Sequence, residues 1–441
     1  MKWFFWASLL LALSLLFGFG LFAYAMYALL GVMLVSRLLT RIWIHNLSAE
    51  RECNRQIAQV GDTVAVVIQI KNIGLLPIAW VLLEDVLPTR ALIFEPPNLR
   101  LTGRREQLIS LRGRGRATMF YQLQCNRRGF YQIGPLVMET GDLFGLHRRF
   151  RIASHPHFLL VYPQIISLAG YEIASRRPIG EIRISHRLFE DPTRIAGVRQ
   201  YESGDPLNRI HWRATARTGQ LHSKIYEPSS IAGVTIVLDF HTASHAAKDE
   251  PYRSELAITA AASLANAVYE MGQQVGLVSN CRDAADRIRE EGWDVDLHSR
   301  QAAQRIAGMQ EKSDRLRPVV VETRRGAEQL LRILETLARA ELSDGLTFAQ
   351  LVADHSNRLS RDASVVAILT SVTDETAIAL GSLRRRGFAV SVILNMYDGW
   401  DFGEAAGALA AQGITTYHLP SDAAIAEVCR NHLALGLTVS R

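Results

Sequence analysis

Gly233-Val-Thr-Ile-Val-Leu-Asp239 is a short apolar run that ends in an acid. From it onward the chain alternates two patterns. Tyr252 to Met271 is helical by its alanine and leucine content, and Val275 to Ser279 is the next strand. Gln329 to Leu342 places Leu330, Leu334, Leu337 and Ala338 on one helical stripe. Val365 to Thr370 reads as a strand, Glu375 to Arg386 as a helix ended by Gly387, and Ala389 to Leu394 as a strand. A helix near Glu404 to Gln412, a strand at Ile414 to His418 and a final helix capped by Asp422 complete the series. Strands alternating with helices imply βαβ units and a parallel sheet covered on both faces. The expectation for residues 232–441 is a doubly wound α/β domain.

Toward the N-terminus the pattern changes to strands alone, over residues 46–165. Val64-Ala-Val-Val-Ile-Gln-Ile-Lys71 is rich in β-branched residues and follows the turn signal Gly61-Asp62. Further candidate strands are Ala79 to Leu83, Gln107 to Leu111, Ala117 to Cys125, Tyr131 to Glu139 and Phe158 to Tyr162. Short strands with regular turns argue a β-sandwich, here expected to be immunoglobulin-like. Arg112, Arg114 and Arg116 alternate with Gly113 and Gly115. They read as a solvated loop or strand edge, or else as a phosphate or lipid contact.

Residues 1–45 read as a membrane anchor. From Trp3 to Ser36 no residue is charged, a run of 34. One transmembrane helix needs about 20 apolar residues, so the run is long for one upright helix and short for two. Gly18-Phe19-Gly20 can turn a tight hairpin; one long tilted helix is the rival. A cleaved signal peptide ending near Ala23-Tyr24-Ala25 is disfavoured because the apolar run continues past it. Trp3, Trp6 and Trp43 flank the run as interfacial aromatics do. Arg37 and Arg41 follow it and Lys2 precedes it, which places the body in the cytoplasm, at the inner membrane, for one span or two.

The charge agrees with an anchored body. Between Arg37 and Arg151 there are 17 Lys/Arg against 9 Asp/Glu, a net of +8, whereas the whole chain carries +6. The basic excess therefore lies next to the apolar run, where anionic lipid attracts it; a solvated surface is the plainer reading. The four cysteines are scattered and form no C-x-x-C pair, so neither a zinc site nor a disulfide framework is expected.

The two halves are joined by residues 166–231, read as a signature segment and linker. Its core runs Val198-RQYESGDPLNRIHWRATARTGQLHSKIYEP-Ser229. Asp205 suits a helix N-cap, Pro206 the first turn, and Gly219 the position past the end. On such a helix Leu207, Ile210 and Ala214 share one face, and Arg209, Arg213 and Arg217 make a basic ridge. Trp212 is a large apolar anchor. The segment is either a clamp, with Trp212 packed on the sheet and the arginines paired with acids, or a docking surface. The pattern carried by Tyr201, Gly204, Asp205, Ile210, His211, Trp212, Ala216 and Arg217, with Lys224 and Glu227-Pro228 after it, resembles the hallmark of the domain-of-unknown-function-58 family. Arg127-Arg-Gly-Phe-Tyr-Gln-Ile-Gly-Pro135 and Asp142-Leu-Phe-Gly145 match as well. The resemblance implies an apolar anchor, usually a helix pair, then a β-rich domain, the signature and a von Willebrand factor A-like domain. It also implies a MoxR-type AAA+ ATPase as partner.

Von Willebrand factor A domains often hold Mg²⁺ on a D-x-S-x-S loop. Here that loop is Asp239-Phe-His-Thr-Ala-Ser244, with His241 and Ala243 at the serine positions. Imidazole and a methyl group suit a hard cation poorly, so a degenerate site without metal is expected. Thr242, Ser244 and the acid of Thr370-Ser-Val-Thr-Asp374 are displaced. No phosphate-binding loop, dinucleotide fingerprint, H-E-x-x-H or G-x-S-x-G occurs. Ser203, Asp205 and His211 are close in sequence, but Asp205 is accounted for as a cap. The sequence thus reads as a non-catalytic adaptor with no cofactor and no nucleic-acid partner. The alternative is a structural cell-envelope protein that binds lipid or wall-synthesis machinery.

Overall fold

The computed structural model describes residues 2–18, 20–93, 95–142, 145, 147–167, 189–201, 210–229, 233–291, 316–360 and 363–429. It divides into two units. The first comprises residues 1–164, 282–314 and 337–340; the second comprises 165–281, 315–336 and 341–441.

The first unit begins with two helices, α1 (Lys2–Leu16) and α2 (Gly20–Asn46), which pack against each other. Gly18, at φ +70°, supplies the left-handed turn between them, a conformation open to glycine at no steric cost. The hairpin is therefore favoured over one tilted helix. At 27 residues, α2 is long and apolar enough to cross a membrane. It also outruns the apolar segment, and its later residues Met33, Ser36, Thr40, Trp43 and Ile44 are buried at helical spacing. Trp43 and Ile44 belong to the core of the β domain. Trp43 is thus a packing residue and not the interfacial aromatic that the sequence suggested.

Strand β1 (Leu47–Cys53) follows α2 with no linker. Then come β2 (Ile57–Gln59), β3 (Thr63–Asn72), β4 (Ile78–Asp85), the short helix α3 (Thr89–Ile93), β5 (Leu99–Gly103) and β6 (Glu106–Leu111). The series ends with β7 (Arg116–Cys125), β8 (Gly129–Ile133), β9 (Leu136–Gly141), β10 (Arg148–Ser154) and β11 (His157–Tyr162). Two four-stranded antiparallel sheets, β1-β3-β7-β5 and β10-β9-β4-β6, contribute to one core. Val64, Val66, Ile68 and Ile70 alternate inward from β3 and meet Val81, Leu83 and Met138 of the other sheet, as period-2 strands over a sandwich core must. A third sheet, β2-β11-β8, is smaller. The single strand expected from Tyr131 to Glu139 is two, because Gly134 (φ +88°) and Pro135 turn a corner between them. A Cβ at Gly134 would collide with the guanidinium of Arg51. Arg112, Arg114 and Arg116 are exposed in the β6–β7 turn.

The core of this unit holds an ion pair. Arg51 and Asp85 have fully buried side chains and pair directly; Arg51 Nε donates to Asp85 Oδ2 at 3.1 Å and Tyr121 Oη donates to the same oxygen at 2.6 Å. Arg51 Nη1 donates to the carbonyls of Ile133 and His155 at 3.1 and 3.0 Å. Burial holds the Asp85 carboxyl above the ordinary carboxylate value, and Arg51 and Tyr121 only partly offset it.

The second unit opens with a ribbon, β12 (Phe189–Gln200) paired antiparallel to β13 (His222–Ser229), with helix α4 (Trp212–Thr218) between them. A region read partly as linker is therefore structured strand. The six-stranded sheet is built from β14 (Gly233–Leu238), β15 (Gln274–Ser279), β17 (Val319–Arg324), β19 (Ala363–Leu369), β20 (Val390–Leu394) and β21 (Thr415–His418). The intervening two-residue strands are β16 (Arg282–Asp283) and β18 (Ala340–Glu341). The sheet order is β17-β15-β14-β19-β20-β21, parallel except for the antiparallel edge strand β17. β14 is buried at every position, as a central strand covered on both faces must be. The helices are α5 (Tyr252–Glu270), α6 (Ala284–Glu291, which with β16 belongs to the first unit), α7 (Ala327–Arg339), α8 (Phe348–His355), α9 (Asp374–Arg385) and α10 (Gly399–Ala411); residues 422–429 are also helical. The sequence located the strands of this sheet within two residues, apart from β17, which it missed.

Candidate functional site

The signature lies on the ribbon, and its local structure differs from the expected helix. Gly204, Asp205 and Arg209, with Ser203 and Leu207, lie outside the described residues. Ile210, buried to 5% exposure, forms a β-bridge with Ser223 and so precedes the helix rather than sharing a face with Ala214. His211 is the residue that caps α4: its Nδ1 accepts from Ala214 N at 3.0 Å. Its backbone N–H donates to His222 O at 2.8 Å, and Tyr201 N donates to Leu221 O at 2.9 Å. The far end matches expectation, since Gly219 at φ +70° closes α4 with its N–H on Thr215 O. His211 Nδ1 is thereby engaged as a cap; Ser203 and Asp205, the other members of the set noted in the sequence, lie outside the described residues.

No residue of α4 is buried. Trp212 is 69% exposed, so the clamp in which it packs on the sheet is not what the fold builds. Arg213, Ala216 and Arg217 are exposed beside it, and Lys224 is half-exposed opposite Val198 in the ribbon. Leu221 and Val198 are exposed apolar neighbours that the sequence reading passed over. Both resemble ordinary strand residues until the antiparallel pairing is known. Among the described residues, neither Arg213 nor Arg217 pairs with an acid, and 198–201 with 210–224 carry Arg199, Arg213, Arg217 and Lys224 and no Asp or Glu. An exposed Trp212 on a short helix that also exposes Arg213 and Arg217 can grip an acidic protein surface.

The carboxyl edge of the six-stranded sheet is the second candidate. Asp239, at the end of β14, is 2% exposed. Its Oδ1 accepts from Asn280 Nδ2 at 2.8 Å and from His241 N at 3.2 Å. Asn280 also donates to Leu346 O at 2.9 Å and accepts from Phe240 N at 2.6 Å. The carboxylate is thus held by an amide from the end of β15. His241 Nδ1 caps the single 3₁₀ turn Thr242–Ser244, accepting from Ala243 N at 3.2 Å. Thr370 Oγ1 donates to Ser244 O at 2.8 Å, and Asp374 sits exposed in the first turn of α9. Among the described residues no group of three or more His, Cys, Asp or Glu is placed to hold a metal. Behind the turn, His245 Nδ1 meets Glu250 Oε1 at 2.6 Å. Burial raises the Glu250 pKa, but hydrogen bonds from His245 and Ser254 outweigh it and leave the carboxyl below its ordinary value.

A helical hairpin continuous with a two-sheet β domain, followed by an α/β sheet that carries an exposed basic ribbon, defines the class of this chain. Residues 197–315, which include the ribbon, match the family described as protein of unknown function DUF58. Over 290 residues the chain is 24% identical to an uncharacterized protein, YeaD, of Bacillus subtilis (strain 168), covering 63% of this chain and 69% of that protein. Among solved structures, the CARDB domain of PF1109 from Pyrococcus furiosus has 11% identity, covers 26% of this chain and 94% of its own, and has a TM-score of 0.19. The open form of the pilus adhesin SpaC from Lactobacillus rhamnosus GG has 10% identity, covers 57% and 35%, and has a TM-score of 0.33. Both scores are low, and neither structure supports a statement about this chain.

Proposed function

We propose that this chain is a non-catalytic adaptor, anchored in the bacterial inner membrane by its helical hairpin, that holds a cytoplasmic protein partner on its signature ribbon. The observation that carries this reading is Trp212, 69% exposed within the family signature, on a helix that also exposes Arg213 and Arg217, which pair with no acid among the described residues. A buried clamp would protect the tryptophan. A docking surface leaves it open, and tryptophan and arginine are the side chains most often dominant in protein interfaces. The α/β sheet, with Asp239 closing its central strand, supports a von Willebrand factor A-like domain in which the cation position is degenerate. The family resemblance makes a MoxR-type AAA+ ATPase the partner of choice.

The test is co-purification of the full chain in detergent with a MoxR-type AAA+ ATPase of the same organism. A complex at micromolar concentration is expected, weakened at least about thirty-fold by Trp212→Ala, which corresponds to a hot-spot loss of about 2 kcal/mol. No complex at that concentration, together with unchanged ATPase turnover, would sink the proposal.

A further inference from the structure

We infer that the start of β10, with the two arginines of α2, forms a binding collar for anionic phospholipid headgroups where the chain leaves the bilayer. The inference rests on the anchored reading above and names the part of the body that touches lipid.

The level of the membrane surface can be read from α2. The uncharged run ends at Ser36, and Arg37 follows it, exposed. Ser36 Oγ lies 3.2 Å from His147 Nδ1. The residues after His147 are Arg148, Arg149, Phe150 and Arg151, the first four of β10, and all are exposed. The β domain therefore reaches the last uncharged residue of the anchor, and it does so with the basic end of β10. Apart from Ala23, the buried residues of α2 run from Met33, one turn inside the uncharged run, to Ile44. Arg41, exposed one turn beyond Arg37, lies about 6 Å further along the helix, within a Debye length of about 8–10 Å.

Two acids, Glu139 and Asp142, lie beside the start of β10. Arg148 Nη1 is 3.7 Å from Glu139 Oε1, a contact at 67% side-chain exposure for the arginine. Asp142 is buried and accepts from His147 N at 2.7 Å. Arg37 and Arg41, together with Arg148 and Arg149 next to the Ser36–His147 contact, thus put exposed cations around the end of the uncharged run, where phosphodiester headgroups would lie. The occupant is an anionic phospholipid of the membrane that α2 enters.

The same geometry excludes the basic turn that the sequence had singled out. Arg114 N donates to Gly74 O and Ile73 N to Asn46 O, so the Arg112–Arg116 turn hangs from the far end of α2. Asn46 is ten residues past Ser36, about 15 Å along the helix. That is beyond the screening length, so these arginines contribute little to lipid attraction.

The test uses the full chain in nanodiscs of equal phosphatidylglycerol and phosphatidylcholine, with native mass spectrometry to count the lipids retained on release. Wild type is expected to retain phosphatidylglycerol preferentially. Arg148→Gln with Arg149→Gln should lower the retained ratio by at least about five-fold, the factor for one arginine near an anionic surface. Arg148→Lys with Arg149→Lys should keep it, and so should Arg112→Gln with Arg114→Gln. A ratio unchanged by the first pair, or lowered equally by the last, overturns the collar. A chain that fails to enter the nanodiscs overturns the anchor as well, whereas one that enters without lipid preference overturns the collar alone.

Discussion

Replacing Arg51 with methionine should loosen the β domain, and the loss should depend on pH. In the wild type the Arg51 and Asp85 side chains are completely buried, and Tyr121 donates to the same carboxylate at 2.6 Å. Removing one partner of a buried pair leaves an uncompensated charge and costs about 3–5 kcal/mol. Because 1.4 kcal/mol is a factor of ten, amide exchange in β1, β4 and β7 should speed up by about two to three and a half powers of ten at pH 7. The sign with pH follows from Asp85, whose folded pKa is already raised by burial. Such a group favours the fold fully below its unfolded value and progressively less as pH rises through the folded one. Without Arg51 the folded value rises further, so Asp85 takes up a proton sooner and the variant's deficit narrows at pH 5. The apolar triple variant Arg51→Met, Asp85→Leu, Tyr121→Phe should recover most of the loss, since no orphaned polar side chain remains. Hydrogen–deuterium exchange of the full chain, read on peptides spanning the three strands at pH 7 and pH 5, measures all of this. Wild-type exchange in the single variant at pH 7, or a deficit as large at pH 5 as at pH 7, would refute the reasoning.

Three further outcomes are expected. Trp212→Ala should leave the melting temperature within about 2 °C, because a side chain this exposed contributes within about 0.5 kcal/mol to stability; a larger drop would mean that the tryptophan packs after all. Glu250 has a depressed pKa, so its support is present above the ordinary glutamate value and is lost as pH falls through the folded value. Melting of wild type should therefore fall more steeply between pH 5.5 and pH 3 than that of Glu250→Gln, and parallel curves would contradict this. Asn280→Ala should strip the Asp239 carboxylate of a buried donor at 2.8 Å, costing about 1–3 kcal/mol, whereas millimolar Mg²⁺ should not shift the melting of wild type. A Mg²⁺-dependent rise would reinstate a cation site.

What the sequence made legible followed from periodicity. Val64 to Lys71 is rich in β-branched residues after a turn signal, and β3 there buries every second residue. The apolar run at Gly233 sits on a strand buried throughout. Where the pattern was charged it failed: β10 begins Arg148-Arg-Phe-Arg151 and lies at a sheet edge, where no face need be apolar. The break at Gly134-Pro135 was hidden because apolar residues continue on both sides of it. The helix that ends at Gly219 begins only at Trp212 and is capped by His211, placed there by the Ile210–Ser223 bridge, which no residue-type rule for caps reveals; Asp205 lies outside the described residues. The Arg51–Asp85 pair could not be read at all, since 34 residues separate its members and only the pairing of the strands brings them together.

The anchor is also part of the β domain's structure. A flexible linker of n residues lets its ends wander by about 5–6 Å times the square root of n, and none stands between α2 and β1. Instead Asn46 O accepts from Ile73 N at 2.8 Å, while the next residue, Leu47, opens the β1–β3 ladder opposite Asn72. Trp43 and Ile44, the last buried residues of the helix, are members of the sandwich core. Tilting α2 relative to the sandwich would therefore expose a tryptophan and break the start of a sheet. If α2 enters the bilayer, the orientation of the β domain follows from the helix, and the face that carries Arg148 and Arg149 meets the lipid surface by construction and not by chance encounter.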